Sequence, residues 1–291
     1  MTDECKRIAD RLDDLVAQLG RLLPPSAAEP DWKAAAFRWR KHARGGYLEA
    51  VRHPHEIRFA DLKDVDEQKR RLRENTAQFV SRRPANNVLL TGARGTGKSS
   101  LVKAALNEFA PKGLRLIEVD KRDLVDLPDI VDLVGERKER YVIFCDDLSF
   151  EASDAGYKSL KVALDGSIAG SAENVIIYAT SNRRHLMPEF MNENLEAKHV
   201  GGEIHPGETT EEKISLSERF GLWLSFYPFD QEQYLHIADH WIATLGGKAD
   251  EASRREALIW ALERGSRSGR VAWQFARDWV GRKPSSADKR R

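Results

Sequence analysis

The stretch Asn87–Leu106 reads NVLLTGARGTGKSSLVKAAL, an apolar run followed by a glycine-rich turn and an amphipathic segment. The turn from Gly92 to Ser99 has the spacing G-x-x-x-x-G-K-[ST], which is typical of a phosphate-binding loop between a strand and a helix. Its glycines let backbone N–H groups approach phosphate oxygens, where a Cβ would obstruct them. The helix predicted over Lys98 to Phe109 directs its positive N-terminal end towards the same anion. The stretch therefore predicts binding of ATP or GTP.

The residues of this turn have distinct expected roles. Lys98 supplies a positive charge to the outer phosphates, and Ser99 supplies a hydroxyl to Mg²⁺. An ordinary glycine turn is the alternative, but the apolar run before it and the amphipathic helix after it favour the phosphate loop. The predicted nucleotide-contacting residues are Gly92, Ala93, Arg94, Gly95, Thr96, Gly97, Lys98, Ser99 and Ser100.

Composition describes a globular protein of 291 residues, of which 41% are hydrophobic. Lys and Arg (47) nearly balance Asp and Glu (46), so the formal charge of +1 gives no general attraction to nucleic acid or acidic lipid. Cys5 and Cys145 lie far apart and suggest no disulfide framework. No stretch resembles a signal peptide or is long enough to span a bilayer. We expect a cytoplasmic protein without membrane insertion.

Apolar runs alternate with helical patterns along the middle of the chain. This alternation predicts a parallel sheet with helices on both faces. The five predicted strands cover 87–91, 114–119, 141–145, 174–180 and 222–228. Three helical patterns follow Pro228. The expected domains are an N-terminal helical region (1–56), an α/β nucleotide-binding domain (57–228), a helical lid (229–282) and a disordered basic tail (283–291).

The N-terminal region contains two predicted helices, over residues 4–23 and over DWKAAAFRWRKHA at 32–44. The second combines aromatic with basic side chains, which permits two interpretations. The aromatics could stack on nucleic-acid bases while the cations follow its backbone. We favour the other interpretation, in which the aromatics pack on the next domain and the charges face water.

Two acids, Asp146 and Asp147, follow the third predicted strand. Ligand crevices open at the carboxyl edge of such sheets, so acids delivered there can serve a metal beside the phosphate loop. We expect Asp146 to hold Mg²⁺ through water and Asp147 to orient or deprotonate the attacking water. The alternative is a carboxylate pair that caps the following segment.

The order of these motifs resembles that of an AAA+ ATPase over roughly residues 57–282. The phosphate loop, the two acids, the polar strand end ATSN, SERF, three helices and SGR follow one another as in that superfamily. PANNVLLTGARGTGKSSLVKA and LSERFGLWLSFYPFDQEQYL further resemble a bacterial AAA+ branch of ATP-binding proteins with unidentified clients. The resemblance implies an α/β P-loop fold with a helical lid, ATP and Mg²⁺ as cofactors, and an ATP-promoted homo-oligomer of about six subunits.

The resemblance also assigns residues around the nucleotide. Asn182 matches the polar sensor between sheet and γ-phosphate, with Ser181 as the alternative and a simple turn residue as another. Asp64 and Val65 lie where the superfamily builds its adenine pocket.

Two arginines match positions that act from outside the phosphate loop. Arg219 in SERF is placed like the arginine finger, which reaches the nucleotide of a neighbouring subunit; the alternative is a helix cap. Arg270 in SGR is placed like the second sensor of the lid; the alternative is a surface ion pair. One departure is Asp147, because the superfamily commonly carries Glu there, and the shorter side chain puts fast turnover in doubt.

Two functions follow from these residues. The leading one is a mechanical ATPase that assembles through Arg219 and remodels a protein or nucleic-acid client. The second is an ATP-switched binding or loading module with slow hydrolysis. The polar segment 185–215 exceeds what a plain AAA+ core needs, and we interpret it as a solvated loop. The alternatives are a metal site formed by His199, Glu203 and His205, and a regulatory or substrate-contact insertion.

Overall fold

A computed structural model describes Arg11 and residues 29–42, 45–150, 154–165, 172–182, 198–200, 203–205 and 216–282. The predicted helix over 4–23 (apart from Arg11), most of the segment 185–215 and the tail 283–291 lie outside the described residues. The division of the chain into domains stays a prediction.

A seven-stranded sheet forms the centre of the described structure. The described residues form nine strands, of which all except β7 and β8 belong to this sheet. They are β1 (Ala36–His42), β2 (Gly45–Ala50), β3 (Val88–Gly92), β4 (Leu114–Glu118), β5 (Arg140–Cys145), β6 (Val175–Ser181), β7 (Lys198–Val200), β8 (Glu203–His205) and β9 (Leu222–Phe226). The sheet order is β2-β1-β4-β5-β6-β3-β9, and β7 pairs with β8 separately. All neighbours in the sheet are parallel except β1 and β2. The five predicted strands are confirmed as β3, β4, β5, β6 and β9, but the predicted total of five is wrong because an N-terminal hairpin extends the sheet.

The helix predicted over 32–44 is wrong, and so is a purely helical N-terminal region, because residues 36–42 form β1. Phe37 and Trp39 are buried on one side, whereas Arg38 and Arg40 lie towards solvent, an alternation with the period of two that a strand requires. Parallel pairing with β4, about 80 residues later, satisfies the backbone and overrides the helix propensity of the preceding alanines. The favoured interpretation of this segment is confirmed in kind, since its aromatics pack into the core.

Seven α-helices are present among the described residues. They are α1 (Asp66–Val80), α2 (Lys98–Phe109), α3 (Leu127–Gly135), α4 (Ala155–Asp165), α5 (Gln231–Thr244), α6 (Glu251–Glu263) and α7 (Gly269–Arg282). Alternate residues of the central strands divide between two cores. Phe144 and Tyr178 pack with α1, α2 and the three C-terminal helices, whereas Ile143 and Ile177 pack with α3 and α4. The sheet is therefore covered on both faces, as predicted.

Helices α5, α6 and α7 pack together through aromatic side chains. The rings of Trp241 and Trp273 are 4.7 Å apart, and those of Trp260 and Phe275 are 6.0 Å apart. Their apolar residues continue the core that contains α1 and α2. We call this three-helix unit the lid, after its predicted role. No helix of the described part is both long and apolar enough to cross a bilayer.

Removing the ring of Phe37 tests whether the hairpin belongs to the core. Phe37 is 0% exposed, so Phe37→Ala is expected to lower the free energy of unfolding by about 3–5 kcal/mol, the usual cost of a deleted buried aromatic. Arg40→Ala is the matched control on the same strand, because its ion pair with Glu49 is half exposed and should contribute little to stability. Equal urea midpoints for the two variants would contradict the packing of β1.

Candidate functional site

The phosphate loop runs from the end of β3 into α2 and is held by the neighbouring strand β9. Gly92 has φ +127°, and a Cβ there would lie 1.9 Å from the carbonyl oxygen of Phe226. Ala93 N donates to that same oxygen at 3.2 Å. Only glycine permits this approach, which fixes the start of the loop to the end of β9.

Lys98, the first residue of α2, directs its ammonium group back into the loop. Its Nζ donates to Gly92 O at 2.8 Å, to Ala93 O at 2.7 Å and to Asn182 Oδ1 at 3.0 Å. Lys98 is only 6% exposed. Burial lowers the pKa of Lys98, and the carboxylates that follow β5 oppose this shift. The charge thus lies inside the loop and bridges it to the end of β6.

Asp146 accepts two hydroxyl hydrogen bonds on one carboxylate oxygen. Ser99 Oγ donates to Asp146 Oδ1 at 2.6 Å, and Thr180 Oγ1 donates to the same atom at 2.5 Å. Mg²⁺ at nucleotide sites takes one or two protein oxygens and completes its octahedron with phosphates and waters. Ser99 and Asp146 therefore fit Mg²⁺. Within the described residues no cluster of three or more His, Cys, Asp or Glu could hold a metal.

Asp147 and Asn182 complete the carboxyl edge of the sheet. Asn182 Nδ2 donates to Asp147 Oδ1, so the Asn182 amide connects Lys98 to Asp147. Ser181 lies on the opposite side of β6, where its buried hydroxyl donates to Leu148 O at 2.7 Å. Strand alternation separates the two, and the geometry favours Asn182 over Ser181 as the residue facing the loop.

The lid touches the phosphate loop through the start of α7. Gly269 N donates to Gly95 O at 2.8 Å. Gly95 has φ +73°, and a Cβ there would lie 2.8 Å from Ser268 Cβ and 3.7 Å from Arg270 Cβ. Arg270 is thus next to the loop, and its role as a second sensor stays a prediction.

The proposed adenine pocket lies at the start of α1. Val65 is buried, and Asp64 Oδ2 is 2.9 Å from Nδ1 of His236 on α5. The segment that carries Asp64 is therefore joined to the lid. On the loop side, a Cβ at Gly97 would come within 3.5 Å of Leu62, so the same segment borders the phosphate loop.

Arg219 lies at the other edge of the sheet. It precedes β9, whose first residue Leu222 pairs with Val88 at the start of β3, whereas the phosphate loop follows the end of β3. Its Nε donates to Asp165 Oδ1 at 2.5 Å, at the end of α4. Arg219 is the one predicted site residue that the fold does not bring to the phosphate loop of its own chain.

Sequence reasoning missed two side chains at this site, Thr180 and Ser268. Thr180 immediately follows an apolar run, two residues before Asn182, and so shares its face of the strand. That spacing was the available signal. Ser268 Oγ accepts from Val271 N at 3.3 Å, a helix N-cap that the sequence SGR signals only weakly.

The profile of a family described as "Protein of unknown function (DUF815)" matches residues 32–283. The chain belongs to the DUF815 family. No curated protein matches it.

Solved structures similar to this DUF815 member carry the AAA+ fold. The AAA domain of FIGL-1 in complex with ADP has a TM-score of 0.52 and 18% identity, covering 81% of this chain and 78% of that one. A RuvB variant from Thermotoga maritima has a TM-score of 0.47 and 15% identity, covering 74% of this chain and 60% of that one, so the chain spans less than two thirds of that RuvB. The predicted AAA+ relationship is confirmed at the level of fold.

Adding a methyl group at Gly95 tests the contact between lid and loop. Gly95→Ala meets both the positive φ and the crowding by Ser268, so we expect the hydrogen bond from Gly269 N to weaken. Hydrogen exchange at the Gly269 amide should lose about 1 kcal/mol of protection, the net value of one hydrogen bond. Gly281→Ala is the control, because Gly281 lies in the same helix as the Gly269 amide and a Cβ there meets nothing within 4 Å. Unchanged protection at Gly269 would contradict the contact.

Proposed function

We propose that this protein binds ATP with Mg²⁺ and hydrolyses it between the subunits of a homo-oligomer. The observation that supports this most is the hydrogen bond of 2.6 Å between Ser99 of the phosphate loop and Asp146 at the end of β5. It joins the two oxygens that a nucleotide-bound Mg²⁺ requires, next to the ammonium group of Lys98.

Each residue has a separate task in this proposal. The loop amides and Lys98 would bind the phosphates, while Ser99 and Asp146 would hold Mg²⁺, which would neutralise phosphate charge when bound. Asp147 accepts the proton of the attacking water, and Asn182 orients that water. Arg270 contacts the γ-phosphate from the lid, and Asp64 and Val65 border the adenine base.

Arg219 supports action between subunits. Because it lies at the amino edge of the sheet, it is far from its own phosphate loop, and in this proposal it exchanges its contact with Asp165 for the nucleotide of a neighbour in a ring. Arginine fingers supplied in trans raise rates by roughly a thousandfold or more. In this scheme lid motion remodels an unidentified client, either a protein or a nucleic acid.

An ATP-switched binding module is the second candidate. The observation that favours it is Asp147, which is one methylene shorter than the usual Glu and whose carboxylate already accepts a hydrogen bond from Asn182. A base held in this way slows proton transfer without weakening ATP binding, so ATP would govern assembly and hydrolysis would be incidental.

Substitution of the two acids tests the proposal and separates the candidates. Asp146→Ala should abolish the Mg²⁺ dependence of ATP binding in calorimetry, whereas Asp147→Asn should keep binding and lose turnover. Asp132→Asn, an exposed acid on α3, serves as the control and should resemble wild type. Wild-type hydrolysis by both variants would refute the metal site. Tight ATP binding without hydrolysis by wild-type protein, at any subunit concentration, would establish the switch.

Mixing two inactive variants tests the trans role of Arg219. Lys98→Ala subunits lack nucleotide but carry the finger, and Arg219→Ala subunits lack the finger but carry the loop. Interfaces that combine an intact finger with an intact loop should recover ATPase activity, while each variant alone should stay inactive. ATP should also promote self-association in sedimentation. Full activity of Arg219→Ala alone, or strictly monomeric wild-type protein with ATP, would exclude the trans finger.

A further inference from the structure

Thr180 at the end of β6 connects the two acids that follow β5. Its hydroxyl donates to Asp146 Oδ1 at 2.5 Å and accepts from Asp147 N at 2.8 Å. The side chain is 1% exposed. One buried hydroxyl therefore contacts the carboxylate of the first acid and the backbone of the second, and uses both its donor and its acceptor capacity.

The backbone around the acids needs this support. Asp147 has φ +53°, a left-handed conformation that non-glycine residues adopt infrequently. Two hydrogen bonds to β6 hold the chain in this conformation, from Asp147 N to the Thr180 hydroxyl and from Leu148 N to Thr180 O at 2.7 Å. The strained turn is what allows consecutive acids to lie at the same edge of the sheet.

The Thr180 hydroxyl also restricts the Asp146 carboxylate. Ser99 and Thr180 donate to the same oxygen from α2 and from β6, so Oδ1 of Asp146 is held between two elements. Residues that orient a metal ligand in this way typically change metal affinity by about 10- to 100-fold when they are removed.

We propose that Thr180 is the positioning residue of the Mg²⁺ site, setting Asp146 for the cation and Asp147 for the water. This inference rests on the proposed function. It assigns Thr180 no contact with nucleotide or reacting atoms, and its effect passes through Asp146 and Asp147. The predicted signature is a weaker response to Mg²⁺ with an unchanged affinity for metal-free ATP.

A neighbouring hydroxyl provides a matched control. Ser181 is equally buried, one residue later, but its Oγ donates to Leu148 O on the opposite side of the strand. Loss of the Ser181 hydroxyl therefore removes a buried hydrogen bond of the same strand end, to Leu148 O, in which neither acid takes part. A purely structural role of Thr180 would make Ser181→Ala and Thr180→Val equivalent.

The experiment compares Thr180→Val, Thr180→Ser and Ser181→Ala in the full chain. Calorimetry gives the affinity for ATP in EDTA and at increasing Mg²⁺ concentrations. Electron paramagnetic resonance of Mn²⁺ in the presence of ADP measures binding of the cation directly. Thr180→Val should raise the half-saturating Mg²⁺ and Mn²⁺ concentrations by about tenfold, with affinity in EDTA within about twofold of wild type. Thr180→Ser and Ser181→Ala should keep the wild-type midpoints.

Other outcomes overturn the inference in distinguishable ways. A wild-type Mg²⁺ midpoint in folded Thr180→Val, or equal shifts in Ser181→Ala, rejects Thr180 as a positioning residue and leaves the proposed function standing. If Thr180→Val does not fold, Thr180→Ser decides, because a tenfold shift with the hydroxyl retained rejects the inference. Absence of ATP binding by wild-type protein, with or without Mg²⁺, rejects both proposals.

Discussion

The pairing of β3 on both sides is the constraint on which the rest of the site depends. β3 pairs with β6 through Leu90 and Thr180 and with β9 through Gly92 and Phe226. Because all three strands are parallel, their carboxyl ends meet at one edge. The phosphate loop thereby lies within hydrogen-bond distance of Asn182 and of the chain entering the lid. A shift of β3 by one residue would reverse its two faces and separate them.

The parts of this arrangement that the sequence predicted are those with local signals. The strand before Gly92 is a continuous apolar run, and Asp146 directly follows another, so strand and site follow from neighbouring residues. β1 could not be predicted in the same way, because its pairing partner β4 lies far along the chain and its alanines favour helix. Thr180 was missed for a related reason. Its hydroxyl bonds to Asp146 and Asp147, which follow the adjacent strand β5 and do not belong to its own segment.

The structure also bears on whether β1 forms a nucleic-acid surface. Its basic side chains lie beside carboxylates, with Arg38 3.0 Å from Glu118 and Lys41 2.9 Å from Asp126. Such exposed pairs add little stability, so Phe37 and the indole of Trp39, which donates to Asp126 at 2.9 Å, hold the hairpin. These pairs neutralise the positive charge of the strand, which weighs against binding of nucleic acid through its phosphate backbone.

The phosphate loop is hydrogen-bonded at two points, to the chain that enters the lid and to the start of the lid's third helix. Ala93 N binds the carbonyl of Phe226, just before α5, and Gly95 O binds the amide of Gly269, at the start of α7. A rotation of the lid about its entry from β9 would therefore change the geometry of the loop, and a change in the loop would act on the lid at these two points. By thermodynamic reciprocity, a partner that binds one orientation of the lid more tightly and an anion in the loop change each other's affinity by the same factor. A partner that binds only the three C-terminal helices would thus regulate the phosphate loop without contacting it.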